Sequence, residues 1–302
     1  MKFAVIDIGS NAIRMQISGA WQQDTQIMLK KLEYLRFPLR LGREVFEAGV
    51  ISEPLQEKFL KLMKAFQIMI DLYQVDEYIA VATSAMRDAK NSAELIERTS
   101  KEVGLDIKII SGADEAAYID KVIYQYVQGS DNYIHIDVGG GSTEINIYKA
   151  GEKVASESFN AGSVRNTKQP WTVFEQMDHW LQTILSQGIH PIKAIGTGGN
   201  IGKVFELHKQ NKPKASSVSY TNFLEIFQML QELTNEERQT KLMLNPDRAD
   251  VIVPACQIYL HVMRIAHASK IEVPDVGLKD GMLLHLVEKN MGKGGFQTTS
   301  NW

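Results

Sequence analysis

Asp137 and Glu144 bracket Gly139, Gly140, Gly141, Ser142 and Thr143 in the run IHIDVGGGSTEINIY at 134–148. Glycines without side chains let main-chain N–H groups come close to an anion, and a curl of such groups makes a phosphate nest. Ser142 and Thr143 would add hydroxyl groups. The flanking carboxylates would repel a phosphate unless a hard cation such as Mg²⁺ lies between them. The plain alternative is a tight turn that needs positive φ. The frame of Asp before and Ser-Thr-Glu after favours phosphate, and DIGSN at 7–11 repeats the pattern, with Asp7 and Gly9 at matching places.

Two further residues could join this chemistry. Arg87, in TSAMRDA, follows a strand and a threonine turn, where a guanidinium could grip two phosphate oxygens. On spacing alone a solvated helix arginine fits equally well. Glu115 falls in the first turn of a predicted helix after SGAD. A negative charge is favourable there from helix electrostatics alone, so position does not separate that role from a general base.

The elements needed to hold these residues can be read around them. KFAVID and AIRMQI form a predicted hairpin across IGSN, and YIHIDV and TEINIY form another across GGGS. EYIAVATSAMRDAKN and IKAIGTGGNIGKVF each give a strand, a turn with Thr83 or Thr197, and a helix. Two echoes in the same order indicate one duplicated α/β unit. Pro54 and the spacing of Leu55, Phe59, Leu62, Met63, Phe66 and Ile70 predict a helix over 53–73. The polar stretch QGSDN at 128–132 is the expected joint, giving an N-terminal domain over 1–127 and a C-terminal domain over 128–302. The last helix is free to return to the first domain.

Composition sets the limits. A chain of 302 residues, 44% apolar and 23% charged, suits two soluble globular domains. A net charge of −3 gives no broad positive field, so no nucleic-acid partner is expected and any polyanion must be met locally. One cysteine, Cys256, rules out a disulfide framework within the chain. The N-terminal apolar run before Asp7 is too short for a signal peptide and VIVPACQIYLHVM too short for a membrane span. The expectation is a cytoplasmic protein without a membrane partner.

DIGSNAIRM at 7–15, VATSAMRDAKN at 81–91, SGADEA at 111–116, DVGGGSTE at 137–144 and AIGTGGNIGKV at 194–204 occur in order, followed by PDRADVIVPA at 246–255 and GLKDGML at 277–283. Together they resemble the exopolyphosphatase and guanosine pentaphosphate phosphohydrolase family, in its short two-domain form, within the actin-like and sugar-kinase superfamily. The resemblance implies two ribonuclease-H-like α/β domains with the active site in the cleft between them, and a homodimer is a further expectation. It makes Glu115 the catalytic base and Arg87 a phosphate clamp. Asp137 and Glu144 become the carboxylates linked to Mg²⁺ or Mn²⁺. Phosphate binding falls to Asp7, Gly9, Ser10 and Asn11, to Gly139, Gly140, Gly141 and Ser142, and to Gly198 in the third glycine loop.

The implied substrate is inorganic polyphosphate, or alternatively guanosine pentaphosphate; a kinase or actin-like ATPase using GTGGN for a nucleotide is the reading of another class. A silent phosphate sensor is disfavoured by the intact Glu115, Asp137 and Glu144. Ala117 stands where some relatives have an arginine, and longer relatives continue into an HD-type helical part beyond the position where this chain ends. Short or medium phosphate chains are therefore the expected preference. Arg40, Arg43, Arg165 and Lys203 are further candidate bases.

Overall fold

The computed structural model describes residues 1–24, 26–165, 170–190, 192–292 and 295–298. The chain divides into two units, Met1–Val122 with Val276–Trp302, and Ile123–Asp275. The polar stretch at 128–132 lies in the second unit, at the start of its first strand.

The first unit begins with β1 (Lys2–Ile8), β2 (Ile13–Gln23) and β3 (Gln26–Phe37), an antiparallel meander. Then come α1 (Leu41–Ala48), α2 (Glu53–Tyr73), β4 (Glu77–Ala82), α3 (Ser84–Asp88), α4 (Ser92–Val103), β5 (Lys108–Ile109) and α5 (Gly112–Ile123). β4 lies parallel to β1, and β5 parallel to β4. In α2, Pro54 opens the helix and Leu55, Phe59, Leu60, Met63, Phe66 and Ile70 are buried. That apolar stripe packs with Ile6, Ile8 and Met15 in the first core, each fully buried side chain contributing about 1.5–3 kcal/mol.

The second unit repeats the plan. β6 (Asn132–Val138), β7 (Thr143–Lys149) and β8 (Glu152–Phe159) form its antiparallel meander. After them come α6 (Pro170–Leu185), β9 (Ile192–Thr197), α7 (Gly199–Asn211), β10 (Ser217–Ser219), α8 (Tyr220–Glu232), α9 (Asn235–Lys241), α10 (Pro246–Ala249), α11 (Ile252–Ile265) and β11 (Lys270–Glu272). The chain then returns to the first unit with α12 (Leu278–Met291) and β12 (Gly295–Thr298). The sheets run β12-β3-β2-β1-β4-β5 and β10-β11-β9-β6-β7-β8. The order β3-β2-β1-β4-β5 therefore matches β8-β7-β6-β9-β11, with the parallel pairs at the same places. Only the outer edge strands differ. This is the duplication that the paired hairpins predicted.

In the second core, Cys256 is buried, and burial pushes its thiol up to about 12. No helix among the described residues is long and apolar enough to cross a membrane.

α12 crosses α5 at Gly281, where an added Cβ would lie 1.9 Å from the Tyr118 carbonyl oxygen. Asp280, fully buried, accepts from Lys279 Nζ at 2.5 Å and from the Gly277 N–H at 2.8 Å, fixing the start of α12. Helix propensity alone would make Gly281→Ala stabilising by about 1 kcal/mol. The backbone contact reverses the sign, and we expect a net loss of about 1–3 kcal/mol, read as a lower denaturant midpoint. An unchanged or higher midpoint would show that α12 does not meet α5 at this point.

Candidate active site

The two hairpin tips are built alike. β1 and β2 pair as far as Ile8↔Ile13, and β6 and β7 as far as Val138↔Thr143, leaving tips at 9–12 and 139–142. Each tip closes on itself, with the Gly9 N–H donating to Ala12 O at 3.2 Å and the Gly139 N–H to Ser142 O at 3.0 Å. A segment following the third strand of the meander then takes the tip's other carbonyls.

In the second unit that segment is 161–165. Ser163 N–H reaches Gly139 O at 3.0 Å, Val164 N–H reaches Gly140 O at 2.8 Å, and Arg165 Nε reaches Gly141 O at 2.6 Å. A trans peptide holds each C=O antiparallel to the following N–H. Capture of these three carbonyls therefore aims the N–H groups of Gly140, Gly141 and Ser142 the opposite way. Among the described residues these N–H groups meet no acceptor. The approach is backbone on backbone, since a Cβ at Gly162 would lie 2.5 Å from Gly140 and Gly141 main-chain atoms.

In the first unit Gly42 N–H reaches Ser10 O at 2.8 Å and Arg40 N–H reaches Asn11 O at 3.0 Å. Those contacts turn the Asn11 and Ala12 N–H groups away in the same sense. Gly42 plays the part of Gly162: a Cβ there would lie 3.0 Å from Ser10 Cβ. The Ser10 hydroxyl is already engaged, 2.8 Å from Ser84 Oγ and accepting the Ala85 N–H at 3.2 Å. It pins the β4–α3 turn to the tip.

Charge separates the two hairpins. Asp7 pairs across the strands with Arg14, whose Nη1 donates to Asp7 Oδ2 at 2.7 Å. Asp7 would thus act on a phosphate through that guanidinium, not by its own carboxylate. Asp137 pairs with Glu144 instead. Glu144 is 2% exposed and accepts from Ser158 Oγ at 3.0 Å. Facing carboxylates on one sheet surface repel each other, and a hard cation reverses that term. No group of three or more His, Cys, Asp or Glu side chains suited to a metal exists among the described residues. Two carboxylates fit Mg²⁺, which keeps several of its waters, and do not make the dehydrated nitrogen–sulfur set of a zinc site.

Gly198 begins α7 at φ 108°, and a Cβ there would lie 3.0 Å from Asp137 Oδ1. Tyr259, from α11, accepts the Val138 N–H at 3.1 Å and donates to the Thr197 carbonyl. It ties the end of β6 to the end of β9. Burial and then the nearby Asp137 raise its phenol well above the ordinary range, so it stays a neutral donor.

In the first unit, Arg87 Nη1 donates to Ile110 O at 2.7 Å, which stretches the guanidinium toward the start of α5. There Ser111 and Asp114 cap each other's backbone: Ser111 N–H donates to Asp114 Oδ2 at 3.0 Å, and Asp114 N–H to Ser111 Oγ at 3.1 Å. The Ser111 N–H and hydroxyl hold the Asp114 carboxyl below its usual range. The capping role is thus filled by Asp114, and half-buried Glu115 is not needed for it. Ala117 is exposed, and Lys203 pairs with Glu206 at 2.8 Å.

Sequence reasoning named Arg40 and Arg165 only as candidate bases and missed the backbone contacts of the segments at 40–42 and 161–165, and it missed Tyr259. A glycine shortly after the third strand in both repeats, Gly42 and Gly162, was the available signal. Tyr259 gave none beyond one polar tip in an apolar helix.

Two outcomes follow from this geometry. Gly198→Ala should lose about 1–2 kcal/mol through its left-handed backbone and crowd Asp137, whereas Gly202→Ala, with open space around its Cβ, should be neutral or stabilising; equal midpoints for both would contradict the Gly198 contact. Asp114→Ala should lower the melting temperature at pH 7. Because the folded pKa is depressed, that gap is full above the ordinary value of about 3.9 and closes as pH falls through the lowered one. A gap independent of pH would remove Asp114 from the cap.

Comparison with known proteins agrees with this arrangement. The solved structure of an exopolyphosphatase from Cytophaga hutchinsonii is 26% identical, covers 96% of this chain and 98% of its own, and superposes with a TM-score of 0.82. The Aquifex aeolicus family member is 27% identical over 96% and 99%, with a TM-score of 0.74. Exopolyphosphatase 1 of Mycobacterium bovis is 23% identical over 95% of this chain and 89% of its own. A bifunctional 3-dehydroquinate synthase/phosphatase of Fusobacterium nucleatum is 35% identical over 172 residues, which are 55% of this chain and 26% of that protein. The chain therefore spans about a quarter of that protein's length. The model of the Ppx/GppA phosphatase family matches residues 22–290, and the chain belongs to that family.

Proposed function

We propose that this protein hydrolyses the terminal phosphoanhydride of inorganic polyphosphate, releasing phosphate with Mg²⁺ or Mn²⁺ bound. The observation that carries the reading is the carboxylate pair Asp137 and Glu144 beneath a tip whose N–H groups are turned outward by the 161–165 segment. A nest and paired carboxylates next to each other are useful for a phosphate accompanied by a hard cation, and for little else. Two relatives matched nearly end to end are named as exopolyphosphatases, which supports this substrate over guanosine pentaphosphate.

In this reading the N–H groups of Gly140, Gly141 and Ser142 bind phosphate oxygens, and Asp137 and Glu144 hold the cation directly or through water. The bound cation supplies neutralisation of phosphate charge. Arg87 steadies phosphate oxygens with the guanidinium N–H groups not given to Ile110. Glu115 takes the proton from the attacking water. Such transfer depends on positioning and charge stabilisation more than on covalent participation by the protein. The tip at 9–11 and Gly198 are assigned to phosphate binding as well.

Phosphate release is to be measured from polyphosphates of defined lengths, guanosine pentaphosphate and ATP, with and without chelator. Release from polyphosphate that chelation abolishes is the expected result. Faster turnover of guanosine pentaphosphate would replace the substrate, and faster turnover of ATP would replace the reading with an ATPase. Glu115→Gln should lower kcat by roughly 10²–10⁴-fold with little change in KM, while Asp114→Asn keeps turnover. The reverse result would move the base to Asp114. Asp137→Asn should shift the Mg²⁺ dependence; an unchanged dependence would take the cation away from this pair.

A further inference from the structure

We propose that His135 is a positioning residue, holding Thr197, and through it the β9–α7 turn, against the end of β6 that carries Asp137. The inference rests on the proposed phosphatase reading for its catalytic consequence, though not for its structural one.

Four polar side chains join four neighbouring strands of the second sheet. Ser156 Oγ on β8 donates to Asn146 Oδ1 on β7 at 2.6 Å, and Asn146 Nδ2 lies 3.1 Å from His135 Nδ1 on β6. His135 Nε2 lies 2.8 Å from Thr197 Oγ1 on β9. An amide NH₂ only donates, so Nδ1 must accept, and the proton of a neutral imidazole then sits on Nε2 and points at Thr197. The direction of these bonds is set by the Asn146 amide, whose oxygen faces Ser156 and whose NH₂ faces His135.

Position gives this ladder its meaning. Residues two apart on a strand share a face. His135 therefore stands on the face of Asp137, and Asn146 on the face of Glu144, one row behind the carboxylate pair. Thr197 is gripped twice, its hydroxyl by His135 and its carbonyl by Tyr259. Gly198, the next residue, leaves only 3.0 Å between Asp137 Oδ1 and where a Cβ would be. Movement of the turn would move the wall against which Asp137 rests.

His135, Asn146 and Thr197 have no exposed surface, so their polar groups must be satisfied within the protein. Replacing both partners of a buried hydrogen bond with apolar groups of similar shape is close to neutral, whereas removing one leaves the other unsatisfied. Stability and positioning can thus be separated by experiment.

Three variants do so: His135→Val, His135→Val with Asn146→Val, and His135→Gln. Melting temperature, kcat and KM on polyphosphate, and hydrogen exchange of peptides covering 196–202 are measured for each. The single valine variant should lose both stability and turnover. The double variant, which no longer strands the Asn146 amide but still leaves the Thr197 hydroxyl without its partner, should regain part of the lost melting temperature while kcat stays about tenfold or more below wild type, with KM nearly unchanged and exchange at 196–202 faster. The glutamine variant, whose amide can still donate to Thr197 but leaves Asn146 short of an acceptor, should show the opposite: lowered melting temperature, near-normal kcat and slow exchange. Recovery of kcat together with melting temperature in the double variant would overturn the catalytic consequence. Unchanged exchange at 196–202 would overturn the positioning role itself. If the wild-type protein releases no phosphate from polyphosphate, the functional reading fails, and the exchange measurement still decides whether His135 holds the turn.

Discussion

A planar trans peptide cannot turn its C=O and the next N–H independently, and both halves of this protein are organised around that constraint. A loop tip exposes N–H groups in one direction only if its carbonyls are occupied in the other. The 161–165 segment occupies those of Gly139, Gly140 and Gly141, and the 40–42 segment occupies those of Ser10 and Asn11. In the second unit main chain lies directly on main chain, which is why Gly162 leaves no room for a Cβ, whereas a Cβ at Gly42 would meet the Phe46 ring at 2.7 Å and Ser10 O at 3.1 Å. The strands set the tips, but the segments after the meanders give them their polarity.

From that shared scaffold the two units diverge by charge. Asp7 is answered across the hairpin by Arg14, whereas Asp137 is answered by Glu144. At one register position an arginine faces Asp7 in the first hairpin and a glutamate faces Asp137 in the second. The supports diverge as well. The first unit locks its strand–helix turn to the tip through the Ser10 and Ser84 hydroxyls. The second uses Tyr259 and the His135 ladder, both acting on Thr197. A hydroxyl pair is short-range and local. Tyr259 comes from a distant helix, so the second turn also registers the packing of α11 in its core.

Much of this was legible in the sequence because it is periodic or compositional. The hairpins at Asp7 and Asp137 announced themselves by alternation around glycine, and their recurrence in order predicted the matching sheets. The apolar stripe of α2 was equally plain, with Leu60 buried where Leu62 was expected and Leu62 only partly so. The roles of individual polar groups were not legible. The Ser10 hydroxyl also meets Ser84, a contact across 74 positions that no local pattern encodes. Glu115 and Asp114 are adjacent acids in one helical turn, and only the Ser111 hydrogen bonds separate them. His135 and Asn146 sit in strands that otherwise read as apolar, and their pairing depends on the register of β6 with β7.

The modest net charge of −3 fits this construction. At physiological ionic strength exposed charges are screened beyond about 8 Å, so a broad basic surface would attract polyanions without orienting them. Main-chain N–H groups fixed by peptide geometry carry no counterions to release and do not change rotamer. They present the same donors before and after a phosphate arrives, which is the condition for electrostatic stabilisation without reorganisation. In the proposed reading a cation would be the one strong charge supplied from outside, and the Asp137–Glu144 pair that would hold it is set by the register of a single hairpin. A slip of one residue between β6 and β7 would send Asp137 and Glu144 to opposite faces. The turn at Gly198, the Tyr259 hydroxyl and the ladder through His135 all act on the strands that would have to slip. The placement of Asp137 opposite Glu144 is therefore a consequence of strand register, and the polar residues buried behind the hairpin bridge the strands that set it.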